Sequence, residues 1–256
     1  MTKGLIGYSG FVGGNLAKQI HFDTLYNSKN IDEIQGQHFE VLYCAGAPGA
    51  KWLANKHPEQ DRQSIQTLMA NLEKVTAERF VLISTIDVYK DPVLVDEASP
   101  IVTEGMETYG KNRRMLEQFV ESRFTVFNIV RLPGLFGKGL KKNVIYDFIH
   151  QNQIEKIHSE AIYQFYNLDR LKSDVAIAIE NDLRIVNLAT GPVKVSEVVA
   201  YAFGTEFKSE PYENPARYDM RTKYAQLYGS KTPYMVWKNQ VLKEIKAFVQ
   251  SSKEEA

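Results

Sequence analysis

The chain has 256 residues, 31 basic and 31 acidic side chains, and 44% hydrophobic residues, enough to bury a sizeable core in one closely integrated unit. Zero net charge without a basic stripe argues against nucleic-acid and membrane-surface partners, and no apolar run approaches the roughly 18 residues that span a bilayer. The single cysteine, Cys44, rules out an internal disulfide, and the start Met-Thr-Lys-Gly-Leu-Ile runs into a strand instead of a signal-peptide core, so a cytoplasmic protein is expected.

Gly4 to Tyr8 reads as the first strand. It runs into Gly7-Tyr-Ser9-Gly10-Phe11-Val12-Gly13 and then a helix-like segment, the pattern of a dinucleotide pyrophosphate site. Gly7 suits the tight turn, Gly10 lets backbone approach the phosphates, and Gly13 lets the helix pack on the strand. The new helix offers its free N–H groups to the anion. A second strand is expected at Asp23 to Asn27. Ile31 to Gln37 then leads directly to the next strand, Glu40 to Ala45, leaving little room for a further strand and crossover, so the sheet edge should be small or irregular.

Further strands are expected at Arg79 to Ser84, Phe124 to Leu132, Ile162 to Asn167 and Arg184 to Ala189, several of them short apolar runs suited to burial on both faces. Between them, Ile65, Leu68, Met69, Leu72 and Val75 recur at helical spacing, as do Met115, Leu116, Phe119 and Val120. Helices are also expected at Val195 to Phe203, after Pro215 with Arg217 and Arg221, and at Val236 to Val249, with Ser251 to Ala256 fraying. The alternation predicts an α/β, Rossmann-type doubly wound parallel sheet with a small C-terminal substrate-binding part. Approximately 1–135 plus 160–190 forms the dinucleotide-binding core, and 136–159 plus 191–250 the substrate-binding part.

Two segments turn nucleotide binding into an enzyme hypothesis. One is a buried strand ending in hydroxyls, Ser84-Thr85-Ile86-Asp87-Val88-Tyr89; the other is Tyr109-Gly-Lys-Asn-Arg113, which places phenol and cation on one helix face. A phenol of pKa about 10 is a poor base at neutral pH, and a phenolate needs roughly 4 kcal/mol of stabilisation. One cation about 4 Å away supplies that order of energy at an effective dielectric near 20. Thr85 offers a hydroxyl to the same substrate oxygen. The histidines, His21, His38, His57, His150 and His158, are scattered without metal-ligand spacing, so no metal is expected. Cys44 reads as an apolar filler, and packing is the stronger reading of Trp52 and Trp237.

In this order the motifs resemble the extended short-chain dehydrogenase/reductase family, the NAD(P)-dependent epimerases, dehydratases and reductases of nucleotide sugars, from Gly4 to about Leu188. Gly7, Gly10 and Gly13 match its glycine motif, and Cys44-Ala45-Gly46-Ala47 the small-residue turn lying along the cofactor. Ser84 and Thr85 fall on the active-site strand, with Thr85 at the catalytic hydroxyl, Tyr109 at the catalytic tyrosine and Glu117 at an acidic position of the same helix. Arg131-Leu-Pro133-Gly134-Leu-Phe-Gly137 is similar to the segment that meets the nicotinamide, and Phe165-Tyr-Asn-Leu-Asp169 to a later turn on the substrate side.

The chain also departs from the family. Arg113 stands where lysine is usual; it keeps the charge and can bond ribose hydroxyls but cannot release a proton. Ile86 follows Thr85 where dehydratases have aspartate, Asp87 coming one place later, which disfavours dehydration. Gly134 replaces an asparagine that commonly contacts substrate, with Asn143, beyond Lys141 and Lys142, a candidate to compensate. Trp52, Asp87 and Arg217 are the other candidate substrate contacts. At the end of the second strand, Asn27-Ser28-Lys29 lacks the carboxylate that bonds the ribose in NAD enzymes, which favours NADP over NAD. The resemblance implies an NAD(P)-dependent oxidoreductase or epimerase of a nucleotide-activated sugar, with keto-sugar reduction preferred, and a homodimer built from helices around Ser64 to Val75 and Met106 to Val120. The alternative is an inactive NADP(H)-binding sensor or scaffold.

Overall fold

The computed structural model describes residues 2–254. In chain order its elements are β1 (Lys3–Ile6), α1 (Phe11–Gln19), β2 (Thr24–Tyr26), β3 (His38–Cys44), α2 (Lys51–Lys56), α3 (Pro58–Leu72), β4 (Thr76–Thr85), β5 (Val93–Val95), α4 (Thr108–Arg123) and β6 (Phe127–Leu132). There follow β7 (Gly134–Phe136), α5 (Val144–His150), β8 (Ile162–Tyr163), β9 (Phe165–Asn167), α6 (Leu171–Glu180), β10 (Ile185–Asn187), β11 (Val193–Lys194), α7 (Val195–Phe203), β12 (Asp219–Met220) and α8 (Lys238–Glu254).

Two compact units result. One takes the chain up to Asp91, Ser99–Arg131 and Leu171–Val186; the other takes Pro92–Ala98, Leu132–Arg170 and the chain from Asn187 on. The first is built on a six-stranded parallel sheet, β10-β6-β4-β3-β1-β2, flanked by helices. This is the expected Rossmann-type architecture. Ile65, Leu68 and Leu72 of α3 and Leu116, Phe119 and Val120 of α4 join Ile6, Leu42, Phe80, Leu82 and Ile129 of the strands in one buried cluster, so the two helical stripes are core faces. Val75 lies in that cluster but beyond the end of α3, in the turn that enters β4. The predicted short edge is present: β2 is the outermost strand, and one 3₁₀ turn, Ile31–Ile34, carries the chain from its end to β3.

The second unit holds three two-stranded pairs: β7 with β9 and β5 with β12, both parallel, and β8 with β11, antiparallel. Helix α8 packs on α5, α7 and β9. Two expectations are corrected in this unit. The predicted strand Ile162 to Asn167 is split at Gln164, whose buried amide replaces a neighbouring strand: its Oε1 accepts from Met220 N–H and its Nε2 donates to Met220 O, both at 2.7 Å. The predicted helix after Pro215 is instead extended chain, because Arg217 bridges to Ile162 and Asp219–Met220 pairs with β5. Tertiary pairing overrides the local preference there. Helix α8 also continues past the expected fraying point at Ser251 as far as Glu254, Glu255 and Ala256 lying outside the described residues.

Candidate active site

The glycine turn occupies the C-terminal end of β1. Gly7 has φ of +88°, and a Cβ there would lie 2.3 Å from Ala45 O; at Gly13 it would lie 2.1 Å from Gly7 O. Both are therefore required by the turn itself. Gly10 differs: its Cβ would meet only Gly7 O, at 3.3 Å, a contact that a shift of a few tenths of an ångström relieves. Packing alone does not demand glycine at that position, the N-cap of α1. No side chain caps α1 and no acid stands in its first turn, so Phe11, Val12 and Gly13 begin a helix whose field favours an anion. Gly13→Ala is expected to lower the melting temperature and abolish dinucleotide affinity, whereas Gly10→Ala should melt like the wild type and lose affinity about tenfold or more. Calorimetric binding and thermal unfolding of the two variants separate these outcomes.

Around this turn, Ser9 is exposed and Ala45, Gly46 and Ala47 are half-buried, with Gly46 against Ile6, while Cys44 is buried and burial pushes its thiol up to about 11. At the end of β2, Asn27 is committed to its own turn: its Oδ1 accepts from Lys29 N–H at 2.9 Å and its N–H donates to Asn30 Oδ1 at 2.8 Å. Ser28 and Lys29 are exposed beside it.

A path of contacts leads from the glycine turn to the phenol. Gly7 touches Ala45, three residues before Pro48; Pro48 O accepts from an Arg113 guanidinium nitrogen; and the guanidinium carbon lies 4.1 Å from the centroid of the Tyr109 ring. The Tyr109 phenol lies within the influence of Thr85 at the tip of β4, which favours its phenolate, and its backbone N–H donates to Asn55 Oδ1 at 3.0 Å. Thr85, Tyr109 and Arg113 thus come together as the sequence predicts, with Asp87 alongside, its Oδ2 3.3 Å from Thr85 Oγ1. Lys51 pairs with Asp87 at 2.8 Å and with Glu107 at 3.2 Å. Trp52, next to Lys51, is 63% exposed, which leaves it unpacked.

Burial raises the Tyr109 phenol above its ordinary value; Arg113 and Thr85 oppose the rise, while Asp87 and Asp61 add to it. Asp61 is the residue the sequence reading missed. Its carboxylate is ion-paired with Arg113 with both side chains almost wholly buried, and it accepts from Asn112 Nδ2 at 2.8 Å. The signal was its spacing, four residues before Ile65 on the stripe that also carries Leu68 and Leu72. Among the described residues, Arg113 Nε is buried without a hydrogen-bond partner.

Ser84 faces a different set of groups. Its hydroxyl donates to Glu117 Oε1 at 2.6 Å, and the same carboxylate accepts from Arg131 Nε at 2.9 Å, Arg131 Nη2 at 2.8 Å and Arg114 at 2.9 Å. Arg131 also donates to the Tyr89 hydroxyl at 2.8 Å. This network ties β4, α4 and β6 together directly behind Thr85.

In the second unit, Pro133 is buried just ahead of β7. Gly134 is glycine because a Cβ would lie 2.8 Å from Gln164 O in the paired strand. Asn143 caps α5, accepting from Tyr146 N–H at 3.1 Å and donating to Leu135 O at 2.8 Å; its φ of 129° lies in a region that favours glycine. Arg217 is exposed, while Arg221 is ion-paired with Asp219 at 3.3 Å.

No family model matches the chain, and no curated protein matches it in sequence. Solved structures do match over its whole length. A UDP-glucose 4-epimerase of Thermotoga maritima, solved with UDP-glucose, has a TM-score of 0.74 at 14% identity, covering 100% of this chain and 99% of its own. The chain shares the fold of that epimerase. An NAD-dependent NDP-hexosamine 5,6-dehydratase involved in tunicamycin biosynthesis has a TM-score of 0.75 at 17% identity, covering 99% and 98%. A dTDP-4-dehydrorhamnose reductase of Bacillus anthracis, in complex with NADP, has a TM-score of 0.73 at 17% identity, covering 98% and 100%. The resemblance to extended short-chain dehydrogenases/reductases therefore holds at the level of the fold. Among the described residues, no helix is long and apolar enough to cross a membrane.

Proposed function

We propose that the chain is an NADP(H)-dependent oxidoreductase that reduces the keto group of a nucleotide-activated sugar. The observation that carries this reading is the Tyr109 phenol, grouped with Thr85 beneath the Arg113 guanidinium and joined to the glycine turn through Pro48 and Ala45. Epimerase, dehydratase and reductase of nucleotide sugars among the matching structures support the substrate class. The residues fit a nicotinamide dinucleotide: Gly10 leaves open backbone at an uncapped helix start, and the orphaned Arg113 Nε is a donor of the kind a ribose hydroxyl would satisfy. Leaving such a donor buried and unpaired costs about 1–3 kcal/mol. Ser28 and Lys29 support NADP over NAD, because a hydroxyl and a cation favour an added phosphate where a carboxylate would repel it.

Bound dinucleotide supplies the hydride. Thr85 orients the substrate carbonyl and Tyr109 gives its proton to the carbonyl oxygen. Burial raises that phenol further above neutrality, which suits reduction, a step that consumes a proton, better than a first step that removes one from an alcohol. Asp87 and Trp52 are proposed as substrate contacts, and a homodimer through α3 and α4 and a cytoplasmic setting belong to the same proposal.

Purified protein mixed with NADPH or NADH and a panel of nucleotide keto-sugars should oxidise NADPH in step with product. Turnover without net loss of reduced cofactor marks an epimerase. Commitment of Arg113 to Asp61 favours a second reading, an inactive NADP(H)-binding protein, for which cofactor binds and no keto-sugar is consumed.

A further inference from the structure

Asp61 occupies a costly place. A carboxylate on the buried stripe of an amphipathic helix needs a partner, and an apolar residue of similar size generally serves stability as well as a buried ion pair does. Packing therefore gives little reason for an acid beside Ile65, Leu68 and Leu72. Its partner is more telling. Arg113 cannot lose its charge, and it lies 4.1 Å over the face of Tyr109, so a counter-charge beside it adds to burial in moderating its pull on the phenol.

We propose that Asp61 is a positioning residue acting through Arg113: it fixes the guanidinium over the Tyr109 ring and offsets part of its charge, so that the phenol stays loaded with the proton it delivers. The inference rests on reading Tyr109 as the group that gives the substrate oxygen its proton. The groups facing the phenol are Arg113 of its own helix, Asp61 of α3, and Thr85 and Asp87 at and just beyond the end of β4. Asp87 is itself paired with Lys51 of α2, which also meets Glu107. Each cation around the phenol thus meets at least one carboxylate, Arg113 meeting Asp61 and Lys51 meeting both Asp87 and Glu107.

Asp61→Asn keeps the shape of the side chain and removes the charge. With Arg113 less balanced, the phenol should titrate lower than in the wild type, by less than the full effect of an opposite charge in direct contact, because Asp61 is the weakest of the groups acting on it. The measurement is the tyrosinate absorbance of each protein minus that of its Tyr109→Phe counterpart, which isolates one phenol and needs no substrate. In the double variant Asp61→Asn/Arg113→Gln the charges leave together, and the phenol should titrate above its position in Asp61→Asn, because the pull of Arg113 is lost as well. The alkaline limb of reductive kcat/KM should move down by the same interval in Asp61→Asn, with a smaller change on the plateau below it.

An unmoved phenol in folded Asp61→Asn overturns the proposal, as does an equal displacement in the double variant. If Asp61 serves packing only, the melting temperature falls and the titration stays in place. Should Asp61→Asn fail to fold, Arg113→Gln against the double variant carries the test: the single change leaves Asp61 unbalanced and moves the phenol up, the second change brings it back, and identical titrations refute the idea. A displaced phenol without keto-sugar turnover sinks the functional reading and spares Asp61; turnover with an unmoved phenol does the reverse.

Discussion

Tyr109→Phe is expected to lower keto-sugar reduction by about 10²- to 10⁴-fold, the usual contribution of one positioned proton donor, while leaving dinucleotide affinity and melting temperature near the wild-type values. The ring that packs under Arg113 is retained; only the hydroxyl is lost. Steady-state kinetics and calorimetric binding on one preparation distinguish this from general damage. The pH dependence follows from the same group. Reduction needs the protonated phenol, and burial holds its pKa above the ordinary value, so reductive kcat/KM should be level through neutral pH and fall only at pH above the usual phenol range. A reductive rate that falls on the acid side of neutrality would count against Tyr109 as donor.

Glu117→Ala is expected to be the most destabilising single change in the first unit. The carboxylate is fully buried and takes hydrogen bonds from Ser84, Arg114 and twice from Arg131, itself 1% exposed. Its removal strands a buried guanidinium, for which a loss of about 3–5 kcal/mol is usual, equivalent to a fall in melting temperature on the order of 10 °C for a chain of this size. Thermal unfolding followed by circular dichroism measures it. The double change Glu117→Leu/Arg131→Met should recover much of the loss, because a matched apolar pair leaves no charge behind. Turnover should fall in the single variant as well, since Ser84 immediately precedes Thr85.

The parts of this architecture that depend on local chain geometry were legible before any coordinates. Gly7 and Gly13 are demanded by contacts only a few residues or one strand away, and the spacing of Tyr109 and Arg113 alone puts phenol and cation together once a helix forms. The strand runs of the six-stranded sheet carried enough apolar length to be recognised. Strands of two or three residues, such as β5, β11 and β12, have no periodicity to read, and they exist because distant segments meet. Gln164 and Met220 are 56 residues apart, and nothing near either announces the pairing. Arg217 was misread for that reason: a local helical preference lost to a bridge with Ile162. Asn143 looked available for a substrate and is spent on capping α5. The Asp61 carboxylate was in plain view on an apolar stripe, but its meaning required knowing that Arg113 would come to rest against it.

The abbreviated connection between β2 and β3 bears on self-association. An open sheet margin offers unpaired amides and carbonyls to any passing chain, and proteins blunt that hazard by keeping marginal strands short. Here both margins, β2 and β10, are three residues long. Growth of this sheet by addition of a foreign strand has almost no template to start from, which turns an apparently truncated Rossmann border into a safeguard against aggregation.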